Sequence, residues 1–109
     1  WNKGDLRVTP RQQIELLIKF YNNQLPFSER AVNTVKEILA EEKTPKYTLS
    51  GKTGWSSAYN PQVGWWIGYV ERADNVYFYA LEIDMNKDED APKRKEITRK
   101  ILKQMKIIE

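Results

Sequence analysis

Apolar residues recur along this chain with two different periods, and the change of period divides it. After Thr9-Pro10, the positions Ile14, Leu17, Ile18 and Tyr21 follow the three-and-four spacing that lines one face of a helix. Thr9 fits as N-cap, and Pro10 suits the first helical position, where a missing N–H needs no partner. Gln12 completes a capping box, and Asn22-Asn23 ends the helix. A second predicted helix starts with Ser28 as N-cap and carries Val32, Val35, Ile38 and Leu39. It stops before Thr44-Pro45, because proline disfavours helical dihedrals in the residue ahead of it.

From Lys46 the period becomes two. Residues 47–52 are rich in β-formers and lead to Gly54, while residues 63–71 and 76–84 read as two further strands. Arg72-Ala73-Asp74-Asn75 is a tight turn that joins the last two as an antiparallel hairpin. Both are nearly continuously apolar, which implies helices packed on each face of the sheet. A polar loop over 86–90 precedes a third helix over about 91–105, with Pro92 in its first turn. The order α-α-β-β-β-α predicts an α+β fold, a three-stranded antiparallel sheet flanked by helices in a single segment over 1–109.

Composition narrows the chemistry. With 40% hydrophobic and 30% charged residues in 109, the chain is of ordinary globular type. The net charge of +3 is spread among interleaved acids, with Lys93-Arg94-Lys95 close to Asp88-Glu89-Asp90, so no nucleic-acid partner is expected. The absence of cysteine and histidine removes thiol nucleophiles, histidine triads, disulfides and thiolate or imidazole metal sites. The acidic pairs Glu41-Glu42 and Asp88-Glu89-Asp90 read as solvated charge, so neither metal nor cofactor is expected. The longest apolar run, 63–70, is far short of the ~20 residues that span a bilayer. Four tryptophans and six tyrosines ask for a broad sheet face or a cleft. Trp65 and Trp66 should point to opposite faces of one strand and pack under helices, whereas Trp55, expected in a loop after Gly54, suits a cleft wall. Tyr77 and Tyr79 share one strand face and read as packing.

The candidate chemistry lies at Lys52-Thr53-Gly54, at a strand end. An ammonium there can hold a carboxylate, the threonine hydroxyl adds a donor, and glycine lets a ligand approach the backbone. On its own such a triplet is weak evidence. Its surroundings are more specific. Trp1 with Leu6-Arg7-Val8-Thr9-Pro10, Gln24-Leu25-Pro26-Phe27-Ser28-Glu29, Gly51-Lys52-Thr53-Gly54-Trp55, Pro61-Gln62-Val63-Gly64-Trp65-Trp66-Ile67-Gly68-Tyr69-Val70-Glu71 and Lys103-Gln104-Met105-Lys106-Ile107-Ile108 together resemble the class D β-lactamases. The resemblance runs through essentially the whole chain and implies a β-lactamase/transpeptidase-like fold.

The resemblance further implies a β-lactam antibiotic as substrate, opened through a serine acyl-enzyme intermediate. Lys52 matches the catalytic cation of the Lys-Thr-Gly element, and Thr53 its carboxylate-binding hydroxyl. The backbone N–H of Trp55 matches an oxyanion-hole donor, and the strand edge at Gly54 and Trp55 would pair with the substrate's acylamide arm. Arg94 matches an arginine that reaches the substrate carboxylate from the last helix. The residues agree in part: Arg94 precedes Ile97 and Ile101 at helical spacing and should share their inward stripe, while Lys93 and Lys95 point elsewhere. The alternative is an arginine that snorkels to solvent or pairs with Glu82 or Asp84.

The family's Ser-x-x-Lys and Ser-x-Val elements are not found in these 109 residues: Ser28 leads to Ala31, Ser50 to Thr53, Ser56 to Tyr59 and Ser57 to Asn60. The expectation is that they lie upstream of Trp1, that this chain alone is inactive, and that the absent segment is its partner. A penicillin-binding sensor or transpeptidase, or a non-catalytic fragment, are the other readings. A homodimer is left open, and the family setting is periplasmic, secreted or cell-surface.

Overall fold

The computed structural model describes residues 9–57 and 62–108. Helix α1 spans Pro10–Tyr21, and its capping box is formed: Thr9 Oγ accepts from the Gln12 N–H and Gln12 Oε1 from the Thr9 N–H. It ends at Asn22, and Asn23 takes the left-handed conformation (φ 58°) that asparagine tolerates. Helix α2 spans Glu29–Leu39, with the Ser28 hydroxyl as its N-cap.

The three-stranded expectation is corrected at this point: the sheet has four antiparallel strands in the order β1-β2-β3-β4. Strand β1 is Ala40–Lys43, a stretch read from sequence as the end of the second helix. Alanine, glutamate and lysine all favour helix locally, but Ala40 turns to ψ 119° and the segment pairs with the start of β2. Thr44 makes the turn, its Oγ accepting from the N–H groups of Lys46 and Tyr47. Strand β2, Tyr47–Ser56, continues past Gly54, so Trp55 is a strand residue and not a loop residue. Strands β3, Gln62–Arg72, and β4, Val76–Met85, form the expected hairpin. A single 3₁₀ turn, Asp88–Asp90, precedes α3, Lys93–Gln104.

The two sheet faces divide the core. Residues Tyr47, Leu49, Trp66, Val70 and Tyr79 face α3 and close over Leu102, Ile107 and Ile108. Arg72 donates to the Ile107 carbonyl (2.8 Å) and holds the end of the chain against this face. On the opposite face Tyr21 of α1 packs edge-on to Tyr69 (ring centroids 5.0 Å) and Phe78 (5.7 Å). Its hydroxyl donates to Glu71 (2.7 Å), and burial together with that carboxylate pushes its pKa up to about 12. Trp65 and Trp66, both buried, point to opposite faces as expected.

Helix α3 is rotated relative to its sequence reading. Thr98 and Leu102 are its buried positions, while Ile97 and Ile101 are 37% and 45% exposed. Arg94 borders both stripes and still turns toward the sheet. Lys95, expected to point away, turns back as well: its ammonium lies 5.5 Å from the Trp66 ring centroid and pairs with Glu41. Arg99 pairs with Glu42 (3.0 Å), which also accepts from the Tyr47 hydroxyl (2.6 Å). Asp90 is buried rather than solvated, accepting from Asn86 N–H and from Lys93. The acidic groups thus tie α3 to the edge of the sheet and shape the loop before it.

No helix among the described residues is long and apolar enough to cross a membrane, and none of their acidic side chains cluster as a metal site.

Candidate active-site wall

Strand alternation decides where each candidate residue points. Lys52 stands opposite Ile67, on the face of α1 and α2; Thr53 stands opposite Trp66 and Trp55 opposite Gly64, both on the face of α3. The Lys52 ammonium is exposed and donates to the Thr53 carbonyl (2.7 Å). Its stem borders an apolar cavity of about 220 Å³ whose walls include Leu17, Phe20, Leu39 and Ile67, with Gln13 at hand. The Oε1 of Gln13 is buried there without a hydrogen-bond partner among the described residues.

Gly54 is required by its neighbour. A Cβ at this position would stand 2.1 Å from Cε2 of Trp65, because the indole of the facing strand lies against its backbone. The Gly54 carbonyl accepts from Arg94 Nη1 (2.8 Å), and Arg94 Nε donates to the Ala91 carbonyl (2.9 Å). The guanidinium is therefore anchored to its own helix and to the end of the Lys-Thr-Gly element. Its carbon lies 5.9 Å from the Trp55 ring centroid. Burial lowers its pKa from the usual arginine range, which leaves it cationic at neutral pH. The carboxylates of Glu82 and Asp84 fall on the opposite face of β4, so the alternative pairings are not what orients it.

The structure thus brings Gly54, Trp55 and Arg94 together, with Thr53 on the same face, while the Lys52 side chain leaves on the other. Trp55 is 37% exposed and its Nε1 donates to Gln62 (2.8 Å), which fixes the ring at the surface. Two further residues shape this site, Gly64, read from sequence only as part of the Trp65-Trp66 motif, and Met85, which had no signal of its own. Gly64 makes room for Arg94, whose Cδ would lie 3.1 Å from a Cβ there, and Met85 fills the other side of the same gap at 2.7 Å. Strand β1 pairs only as far as Ser50, opposite Ala40. Beyond Ser50, the outer edge of β2 has no strand partner among the described residues.

The penicillin binding protein transpeptidase domain model matches residues 1–103. The chain belongs to that family. Over 108 residues it is 41% identical to β-lactamase OXA-48 of Klebsiella pneumoniae, covering 99% of this chain and 41% of that protein. It is 39% identical over 104 residues to regulatory protein BlaR1 of Bacillus licheniformis, covering 94% of this chain and 17% of that protein. Among solved structures, the class D β-lactamase YbXI from Nostoc superposes with a TM-score of 0.93 at 44% identity, over 99% of this chain and 45% of that one. The chain therefore spans less than half the length of these relatives. The α+β arrangement resembles part of the class D β-lactamase fold, with four antiparallel strands in place of the three expected.

Proposed function

We propose that this chain is the substrate-binding wall of a class D serine β-lactamase and that the nucleophile comes from another segment of the same protein. The observation that carries this reading is the Arg94 guanidinium, tied to the Gly54 carbonyl and 5.9 Å from the Trp55 ring centroid, next to a strand edge without a strand partner among the described residues. Arg94 has N–H groups beyond the two that hold it, and a carboxylate is their natural partner. The Thr53 hydroxyl is a further donor on the same face. The Trp55 N–H supplies an oxyanion donor, and the free edge of β2 receives the acylamide arm. The Lys52 ammonium, on the α1 and α2 side, faces the side from which the serine would approach.

The need for a second segment is supported by the other end of the sheet. The outer edge of β4 has no strand partner among the described residues. An apolar groove of about 450 Å³ runs beside it between α1 and α3, with Ile14, Ile18, Ile101, Leu102 and Met105 in its walls. Ile18, Ile101 and Met105 stay 37%, 45% and 63% exposed. An added strand would pair the edge and cover these side chains. The exported setting of the family, periplasm or cell surface, belongs to the same reading.

The match to a regulatory protein supports a second reading, a receptor that is acylated and turns over poorly. Intact mass of the complete protein after incubation with benzylpenicillin, together with a hydrolysis assay, separates the two. A transient adduct with turnover supports the lactamase. A stable adduct without turnover supports the receptor, and no adduct at all refutes both.

A further inference from the structure

Gly51, Gly68 and Tyr79 stand side by side across β2, β3 and β4, on the face of α3. The two glycines leave a trough in the sheet, and the phenol of Tyr79 lies along it. A Cβ on Gly68 would meet the Tyr79 hydroxyl at 2.6 Å, and one on Gly51 would meet it at 2.3 Å. Trp66 closes the trough from the side, its ring edge-on to Tyr79 at 5.1 Å between centroids. The hydroxyl passes over β3 and donates to the Ser50 carbonyl at 2.9 Å, in a buried position. A side chain of β4 therefore holds the backbone of β2 directly, which ladder bonds between adjacent strands cannot do.

The place of this bond is informative. Ser50 is where β2 passes from pairing on both sides to pairing on one, and Lys52 follows two residues later. Strand segments paired on one side only are the ones that open by local fraying. Phenylalanine would fill the trough as well as tyrosine, so packing does not account for the hydroxyl. Nor does Trp66, whose Nε1 has no hydrogen-bond partner among the described residues.

We propose that Tyr79 is a positioning residue, whose hydroxyl bond to the Ser50 carbonyl fixes the Lys52-Thr53-Gly54 wall in the sheet. The consequence for lactam chemistry rests on the function proposed above; the clamp itself does not. A loosened β2 would let Gly54 drift from Arg94 and lower the rate of acylation while the core stays packed.

The test compares Tyr79→Phe with Tyr77→Phe in the complete protein, two hydroxyl removals on the same face of the same strand. Amide hydrogen exchange of Lys52, Thr53 and Gly54 should quicken about fivefold in Tyr79→Phe relative to β3 amides, the size of one lost hydrogen bond. Tyr77→Phe should leave that ratio unchanged. The rate constant for acylation by benzylpenicillin should fall in Tyr79→Phe only, at matched thermal midpoints. Unchanged exchange at residues 52–54 overturns the clamp. Faster exchange with unchanged acylation overturns its role at the site. Failure of the wild-type protein to be acylated removes the lactam reading but leaves the exchange result to decide the clamp.

Discussion

Replacing Gly68 with alanine tests how tightly the middle of the sheet is fitted. The new methyl would lie 1.9 Å from the Ser50 carbonyl oxygen, 2.6 Å from the Gly51 Cα and 2.6 Å from the Tyr79 hydroxyl. Two of these are backbone atoms of the neighbouring strand, so no rotamer change relieves them, and β2 and β3 must separate. Overpacking of this kind costs about 1–3 kcal/mol, and the loss of the Tyr79–Ser50 hydrogen bond adds about 1 kcal/mol. The expected total is roughly 2–4 kcal/mol, a large share of the about 5–15 kcal/mol that holds an ordinary domain folded. Gly51→Ala differs in kind, because its nearest obstacles are the Tyr79 hydroxyl at 2.3 Å and Trp66 Nε1 at 2.5 Å, both on side chains. Combining it with Tyr79→Phe removes the first obstacle, so this pair should be less damaging than the sum by about 0.5 kcal/mol or more. The same Tyr79→Phe change should not rescue Gly68→Ala, whose closest obstacle remains the carbonyl. Urea titrations of the three single and two double variants in the complete protein, extrapolated linearly, measure all of these. A loss below 1 kcal/mol for Gly68→Ala, or equal rescue of both glycine variants, would refute the reasoning.

Arg94→Ala should raise KM for carboxylate-bearing lactams roughly tenfold to a hundredfold, the range for charge-assisted bonds, with a smaller loss of stability. Parallel loss of folding and binding would make the residue structural, and Arg94→Lys should recover little because one ammonium cannot serve both carbonyls and a ligand. Glu42 is held below the usual carboxylate range, first by the Tyr47 hydroxyl and then by Arg99. The stability it adds is complete above its ordinary pKa of about 4.3 and is lost as pH falls through the lower folded value. Glu42→Gln should therefore flatten the urea midpoint between about pH 5 and 3, and an unchanged acid limb would show that the pair contributes nothing. Thr9→Ala removes the N-cap of α1 and should cost about 1 kcal/mol in the same titration, whereas no loss would mean that water replaces the cap.

What could be read in the sequence was local. The capping box of α1, the Ser28 cap and the β3–β4 hairpin each rest on residues a few positions apart, and all three formed as read. Strand β1 was hidden because its residues favour helix. What makes it a strand is its pairing with residues 48–50 of β2 and, far along the chain, the ion pairs to Lys95 and Arg99 of α3. Ile97 and Ile101 looked like core because they are apolar, yet both are exposed, and Ile101 borders the groove beside β4. Arg94 was placed toward the sheet, but its seat was not foreseen, since Gly64 and Met85 meet it only through the register of β3 and β4. The Lys-Thr-Gly element was recognisable by family resemblance; the separation of Lys52 from Thr53 onto opposite faces follows from the strand's continuing through Ser56.

The switch from helix to strand at Ala40 has a bearing on access. Because β1 runs antiparallel to β2, with Ala40 opposite Ser50, any further pairing would draw on Leu39 and Ile38 and lie against Gly51 and Lys52. Those residues are held as the last turn of α2, with the Ala40 N–H bonded to the Lys36 carbonyl. One stretch of chain therefore has two competing uses, and the width of the entrance along β2 is set by where the helix yields. A change that unwinds the last turn of α2 would narrow that entrance without substituting any residue of the wall.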